Sequence, residues 1–355
     1  EPLTYGRQTV GQFEVPYNGP DADNIHVEFT VDKVNGEPNN GDRCSDEFYT
    51  QALDYNTAFT RNMLVEEGTG TWCKWCVRGI VAMEDMKAGG YDAFIPVAAH
   101  YGDLMTIAAY KPIVTSYFSG FPAAMINRDF MEFGQVDPTT EVLQAAYRFI
   151  ERRLFSLAKV EIPQAELVGN DSINITSKVT FSVDNPNATY RMDYVVTEDQ
   201  VGPYVQENGY YNGTAGEMGG WEKLDYYVAH RYDDVARALA NGTGVEGSVP
   251  DAVEAGKSYE FTQGISLANV TTLDSGAKKL EDCHFIAMLI NTTTGRIENS
   301  VSVPAGDLIE IEEGGIHDVT SAASADNGAY YNLQGIRVAN PTHGIYIHNG
   351  RKLRL

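Results

Sequence analysis

The sequence predicts a multidomain chain of mixed class: an α/β domain at residues 58–156, an all-β sandwich at 157–315, and β segments at both ends. Three observations carry this prediction. Between Ala58 and Ser156 short apolar runs alternate with stretches of helical period. On both sides the pattern becomes strand-length segments separated by Asn, Gly and Pro turns. The α/β stretch also carries Trp72-Cys73-Lys74-Trp75-Cys76 just after its first strand, two thiols three apart where a helix should begin.

The elements follow in order. Residues 1–57 read as β: Gln12–Tyr17 and Asn24–Val31 alternate, and Asn35–Asp42 reads as a loop. So short a segment makes a marginal core alone and should complete another β domain. Met63–Glu67 is a buried strand. The helix after it opens at Cys73 and ends near Met86, with Gly89-Gly90 as a C-cap, and places Cys76, Ile80 and Met83 on one face. Ala93–Ala99 is a second buried strand, Met105–Phe118 a helix interrupted by Pro112, and Ala123–Asn127 a third strand. Asp137-Pro138 begins a last helix, with Asp137 as N-cap. Val160–Ile162, Ile173–Val183, Tyr194–Val196 and Phe285–Ile290 then read as sandwich strands. Between them, Gln200–Gly247 reads as a long loop rich in Tyr and Trp, either a binding surface or a cover. Residues 316–355 form a small meander with a hairpin turn at Asn349-Gly350.

The cysteine spacing carries the chemistry. A thiol at a helix N-terminus faces unpaired N–H groups and the positive end of the dipole, which favours thiolate. Cys73 is thus expected as the exposed, attacking sulfur, aided by Lys74 and Arg78, and Cys76 as the buried, resolving one. Three other readings compete. Zinc needs about four ligands, and Cys44 and Cys283 lie far off without a second Cys-x-x-Cys. A structural disulfide would close too small a loop to stabilise much. A folded but inactive relative of a redox domain is the third. No metal and no cofactor is expected. Cys44 and Cys283 either pair or pack as small apolar groups, and two free thiols are expected because no local spacing links them.

The formal net charge of −23 excludes nucleic acid as a partner and disfavours anionic membrane surfaces. No apolar run approaches the eighteen or so residues of a membrane-spanning helix. The chain opens on Glu1-Pro2-Leu3-Thr4 rather than on a leader, so a mature or trimmed chain is expected.

Strand, helix, strand, helix, strand, hairpin, helix is the order of a minimal thioredoxin fold, and the Cys-x-x-Cys resembles that family's site. The wider chain, over roughly 58–312, resembles the Omp-twenty-eight-related outer-membrane proteins of Bacteroidetes. The phrases that carry the likeness are Leu64–Cys73, Arg78-Gly79, Val97–Asp103, Ser119–Pro122, Gly209–Gly213, His230–Arg237 and Asp282–Ala287. Lys74 and Val77 stand where many relatives have Gly and Pro.

The resemblance implies a thioredoxin-like domain followed by an immunoglobulin-like sandwich, and a thiol–disulfide oxidoreductase acting on protein or peptide disulfides with a redox partner. It implies export to the cell envelope, with possible outer-membrane association, or secretion. It makes Pro122 the cis-proline facing the cysteines, and Glu67, six before Cys73, the buried acid that exchanges a proton with Cys76. Trp72, Trp75, Phe121 and His100 are the candidate substrate contacts, while Glu66, on the strand's other face, should meet a polar partner or solvent. The tail resembles C-terminal segments of exported Bacteroidetes proteins, read as a sorting signal or a docked hairpin. The rival expectation is an envelope binding or assembly protein that uses the domain only as a scaffold and the aromatic loop as its working surface.

Overall fold

The computed structural model describes residues 59–153 and 155–309, with strand segments at 24–30, 33–34, 37–38, 43–49, 330–331, 337–338, 345–348 and 351–354. The chain is mostly β-sheet with few helices and divides into two compact units, Glu1–Ile311 and Glu312–Leu355.

In the first unit the strand Met63–Thr69 (β1) is buried at every position. Such a strand must be covered on both faces, so it reads as a continuous rather than an alternating apolar run. Met63 and Val65 pack against Ala82, Met83 and Met86 of the helix Val77–Ala88 (α1). Leu64 packs on the opposite face against Ile107, Tyr110, Ile113 and Val114. Phe94–His100 (β2) lies parallel to β1, and Ala123–Ile126 (β3) lies antiparallel on its other side. Between them runs the short helix Lys111–Tyr117 (α2). Gln135–Val136 (β4) pairs with β3, and Thr140–Arg153 (α3) packs beside α1.

The second half supplies Ala158–Val168 (β5), Ser172–Phe181 (β6), Tyr190–Glu198 (β7), Val201–Glu207 (β8), Tyr227–Tyr232 (β9), Val235–Leu239 (β10), Ser258–Ser266 (β11), Cys283–Asn291 (β12) and Ile297–Pro304 (β13). One mixed sheet of eight strands runs through both halves in the order β13-β12-β7-β10-β2-β1-β3-β4. The junction is short: β10 meets β2 in parallel at Val235 and Ala98, where Ala98 N–H donates to Asp234 C=O at 2.8 Å. A second sheet, β5-β6-β11, packs on β7 and β12 through Ile173, Ile175, Tyr194 and Phe285, as in a sandwich.

Several elements depart from the sequence expectation. Helix α1 starts at Val77 with Cys76 as its N-cap, so Cys73 lies in the turn before it. Its end is as expected: Gly89 is the C-cap and Gly90 takes φ +69°, a left-handed position that favours glycine. Pro112 sits in the first turn of α2, just after Lys111, instead of interrupting a longer helix, because a first-turn residue needs no N–H. Thr139, not Asp137, caps α3 and accepts from Val142 N–H, while Asp137 pairs with Arg78 at 2.7 Å. The 200–247 stretch is not one loop: β8 and β9 form a hairpin and β10 joins the main sheet. Pro203 disguised β8, and the pairing register slips at that point, between Val201 and Tyr204, as proline in a strand requires.

Near the N-terminus, Asn24–Thr30 pairs antiparallel with Arg43–Tyr49, and Lys33–Val34 pairs with Glu37–Pro38, the latter inside the stretch expected as loop. The expected strand Gln12–Tyr17 lies outside the described residues. In the second unit Ile345–His348 pairs antiparallel with Arg351–Arg354, and Tyr330–Tyr331 and Arg337–Val338 complete a four-stranded sheet; the expected turn at Asn349-Gly350 lies outside the described residues. No helix among the described residues is long and apolar enough to cross a membrane.

Candidate functional site

Cys73 and Cys76 form a disulfide at the N-terminal end of α1. Cys73 is 6% exposed and Cys76 is fully buried, so one sulfur reaches the surface only narrowly and the other not at all. The turn that carries them is tied by its backbone: Cys73 N–H donates to Gly70 C=O at 3.0 Å and Cys76 N–H to Cys73 C=O at 3.0 Å. Lys74 places its ammonium 5.1 Å from the Trp75 ring, and the Arg78 guanidinium is engaged by Asp137. The two cations expected to bias Cys73 are therefore both partnered.

Two aromatic groups flank the disulfide. On one side Trp72, 46% exposed, donates its indole N–H to Tyr101 C=O at 2.8 Å and meets Phe121 edge-on at 5.8 Å. Gly70 and Gly102 make room for that indole: a Cβ at either would lie within 3.0 Å of its nitrogen. The Phe121–Pro122 bond is cis, and the buried Pro122 precedes Ala123, the register partner of Gly68. On the other side Trp75 meets Tyr210 at 5.5 Å, among residues of the β8–β9 hairpin.

That hairpin holds the cysteine turn directly. Glu207 N–H donates to Thr71 C=O at 2.8 Å, Gly209 N–H to Lys74 C=O at 2.8 Å, and the buried Gln206 amide to Cys73 C=O at 3.0 Å. Tyr232 in turn donates its hydroxyl to Gln206 at 2.9 Å. Gln206 and Tyr232 escaped the sequence reading, because nothing local marks a strand more than a hundred residues away as a neighbour of Cys73.

The adjacent acids Glu66 and Glu67 point to opposite faces of β1, as the two-residue period of a strand dictates. Glu66 is wholly buried and fully engaged: Arg128 Nε and a second guanidinium nitrogen each donate to it at 2.7 Å, and Tyr110 donates at 3.0 Å. Burial and the neighbouring Glu66 charge raise the Tyr110 hydroxyl well above its ordinary range. Arg128 also reaches Gly242 C=O, and Asp193 beyond accepts from Asn241 N–H, so this cluster fastens the two halves together.

Glu67 faces α1. A Cβ on Gly79 would overlap its Oε1, so the carboxyl lies against the helix backbone where only glycine leaves room. Gly79 follows Cys76 by three residues, hence on the same helical face one turn along. Burial pushes the Glu67 carboxyl up to about 8, opposed by a hydrogen bond from Thr69 and assisted by the Asp234 charge. Its Oε1 has no hydrogen-bond partner within the protein.

His100 ends β2 and is 3% exposed, so it lies beneath the surface rather than on the aromatic rim. Asp103 accepts from its Nδ1 at 2.7 Å and from Thr71 N–H at 3.0 Å. Burial alone would raise the Asp103 carboxyl, but the His100 and backbone hydrogen bonds hold it below its ordinary value. Cys283 is a free, buried thiol pushed above its ordinary range by burial, and the Cys44 side chain lies outside the described residues. Among the described residues no cluster of His, Cys, Asp or Glu is arranged to hold a metal ion.

The site so defined is a disulfide at the start of a helix that also packs on one buried acid, beside an aromatic rim. No family model matches the chain, and no curated protein does. Among solved structures it is similar to HBP35 of Porphyromonas gingivalis, at 14% identity over 84% of this chain and 98% of that one, with a TM-score of 0.48. A domain of the outer membrane lipoprotein Omp28 from Porphyromonas gingivalis is 14% identical over 42% of this chain and 87% of its own, with a TM-score of 0.21. Protein AGR_C_4864 from Agrobacterium tumefaciens is 12% identical over 72% of this chain and 97% of its own, at 0.37.

Proposed function

We propose that the chain is a thiol–disulfide oxidoreductase, with a thioredoxin-like domain over 58–156, an immunoglobulin-like sandwich over 157–315 and a separate tail over 316–355. The observation that carries this reading is the Cys73–Cys76 disulfide at the start of α1, whose Gly79, one helical turn after Cys76, meets the buried carboxyl of Glu67. The order of strands in the first half, with β1 between a parallel β2 and an antiparallel β3, supports it.

In the reduced chain the Cys73 thiolate attacks a substrate disulfide, forms a mixed disulfide and releases one substrate thiolate. Cys76 gives its proton to the Glu67 carboxylate and attacks Cys73 Sγ. The Cys73–Cys76 bond forms as the second substrate thiolate leaves. A dithiol donor then returns the pair to the reduced state. Trp72, Phe121 and Pro122 line the approach to Cys73, and Trp75 borders it on the hairpin side. The substrate class is a protein or peptide disulfide, and the place of action is the cell envelope or outside the cell, which the sequence phrases shared with an outer-membrane family support.

The alternative is a binding or assembly protein working through its aromatic segment, of which Tyr210, Trp221 and Tyr232 are buried while Tyr211 and Tyr227 stay exposed. Reduction of insulin by the chain with a dithiol donor tests the proposal. Activity in the wild type and its loss in Cys73→Ser are expected; a redox-inert wild type overturns it.

A further inference from the structure

A proton that Glu67 takes from Cys76 has to leave a carboxyl that is 2% exposed. A cavity of about 30 Å³ adjoins it, enough for a water molecule or two. Glu67 and Thr69 line it from β1, His100 from β2, and Ile80, Met83 and Glu84 from α1. The remaining wall belongs to the second half of the chain: His230 and Tyr232 of β9, then Asp233 and Asp234.

Two lining atoms have no hydrogen-bond partner within the protein, Glu67 Oε1 and His100 Nε2, and both belong to side chains at least nine-tenths buried. Buried polar atoms are rarely left so, and two of them on one small polar cavity mark a place for water. Register brings them near each other. Glu67 pairs with Ala98 and Thr69 with His100, so Glu67 and His100 are diagonal neighbours on one face of the sheet. The tautomer of His100 follows from its partner: Asp103 Oδ2 lies 2.7 Å from Nδ1, and an ionised carboxylate only accepts, so Nδ1 carries the hydrogen and Nε2 presents a lone pair.

The geometry points to a water-bridged proton relay from Glu67 to His100 Nε2, oriented by Asp103 and opening to solvent past His230 and Asp233. It rests on the dithiol reading above and adds the route by which the base is reset. Cys76 loses its proton to Glu67 as its sulfur bonds to Cys73 and the substrate thiolate departs. The Glu67 carboxylic acid then donates to water, water donates to His100 Nε2 while Asp103 holds the ring, and Nε2 hands the proton back to water leading to solvent past His230 and Asp233. His100 is the positioning and relay group; it touches neither sulfur. The outer wall of the route is supplied by β9 and the residues after it, so the β half builds part of the proton path of the α/β half. Other charges face it: Glu84 at the rim, and Asp234 held by Lys87 at 3.1 Å.

The test uses the reduced full chain in a Cys44→Ser background, treated with Ellman's reagent. Cys73 takes up one thionitrobenzoate, and Cys76 then expels it, releasing colour in a second phase. His100→Gln should slow the second phase relative to the first roughly tenfold near pH 7, and imidazole in the buffer should restore it. A second phase unchanged in His100→Gln but slowed in Glu67→Gln overturns the relay and leaves Glu67 as the base. One unchanged in both variants overturns the relay and the base together. A slowing that imidazole does not relieve reflects packing and also overturns the relay. If His100→Gln does not fold, an atomic-resolution crystal structure of the wild-type chain decides: an ordered water within reach of both Glu67 Oε1 and His100 Nε2 supports the relay, and none there overturns it.

Discussion

Glu66 and Glu67 are neighbours in sequence, equally buried, and set in opposite surroundings. Glu66 faces a guanidinium and a phenol that satisfy both its oxygens, so its charge is stabilised where it lies. Glu67 faces a helix backbone and a small cavity with one oxygen unpartnered, and burial pushes its carboxyl up to about 8, so near neutral pH it exchanges between acid and carboxylate. The comparison teaches that burial alone does not decide what an acid does. A buried carboxylate with a full set of donors is a fastener, and one without them becomes a proton reservoir.

The largest expected effect is on stability against pH. Unfolded, Glu67 loses its proton near 4.5; folded, it keeps it to about 8. Between these values the folded chain binds the extra proton, so stability falls as pH rises through the window. The full span amounts to about 5 kcal/mol. Glu67→Gln should flatten that part of the profile, measured by urea unfolding from pH 4.5 to 8.5. A second contribution of the same sign, from Asp234 pushed up to about 7 by burial, should remain. An unchanged slope would mean Glu67 is ionised in the fold.

On the other face, Arg128→Met leaves Glu66 buried without its cation and should cost about 3–5 kcal/mol at neutral pH. Denaturation midpoints of the variant and the wild type at neutral pH check it.

Resolution of the mixed disulfide separates the two acids kinetically. Glu67→Gln should slow it roughly tenfold to thousandfold, about 1.4–4 kcal/mol in the barrier. Glu66→Gln, which keeps the fastening face polar, should leave the rate per folded molecule near that of the wild type. A slower Glu66→Gln would reverse the assignment of faces.

The smallest effect tests the contact with α1. Gly79→Ala drives a Cβ into the Glu67 carboxyl, and a strained fit of this kind costs about 1–3 kcal/mol. Combined with Glu67→Ala, which empties the space, that cost should largely disappear. A double-mutant cycle on unfolding free energies measures the coupling, and additivity would place Glu67 elsewhere.

Much of this was legible in the chain. The strands β1, β2 and β3 stood out because buried strands are short continuous apolar runs, and the cysteine pair marked the helix start to within a few residues. The opposite faces of Glu66 and Glu67 follow from strand period alone. Other features left no local trace. Arg128 follows β3 with φ +49°, and nothing in its neighbourhood foretells that it turns onto Glu66. Asp103 and Gly79 lie in phrases that carried the family likeness, yet their partners, His100 with Thr71 and Glu67, appear only once strand and helix are packed. The β8–β9 hairpin was missed because Pro203 breaks its pattern, and with it went Gln206 and Tyr232.

By itself the sequence determined what local physics controls: the period of each element, the spacing of the two thiols on one turn, and the alternation that separates adjacent carboxyls. Tertiary structure alone decided which of those carboxyls is satisfied. Arg128 and Tyr110 reach Glu66 across the sheet, while the cavity beside Glu67 is completed by His230 and Asp234, more than a hundred and sixty positions away. The proton affinity of a buried acid is set by the donors and charges within a few ångströms of it. Long-range packing of β2, β9 and α1 around β1 put them there.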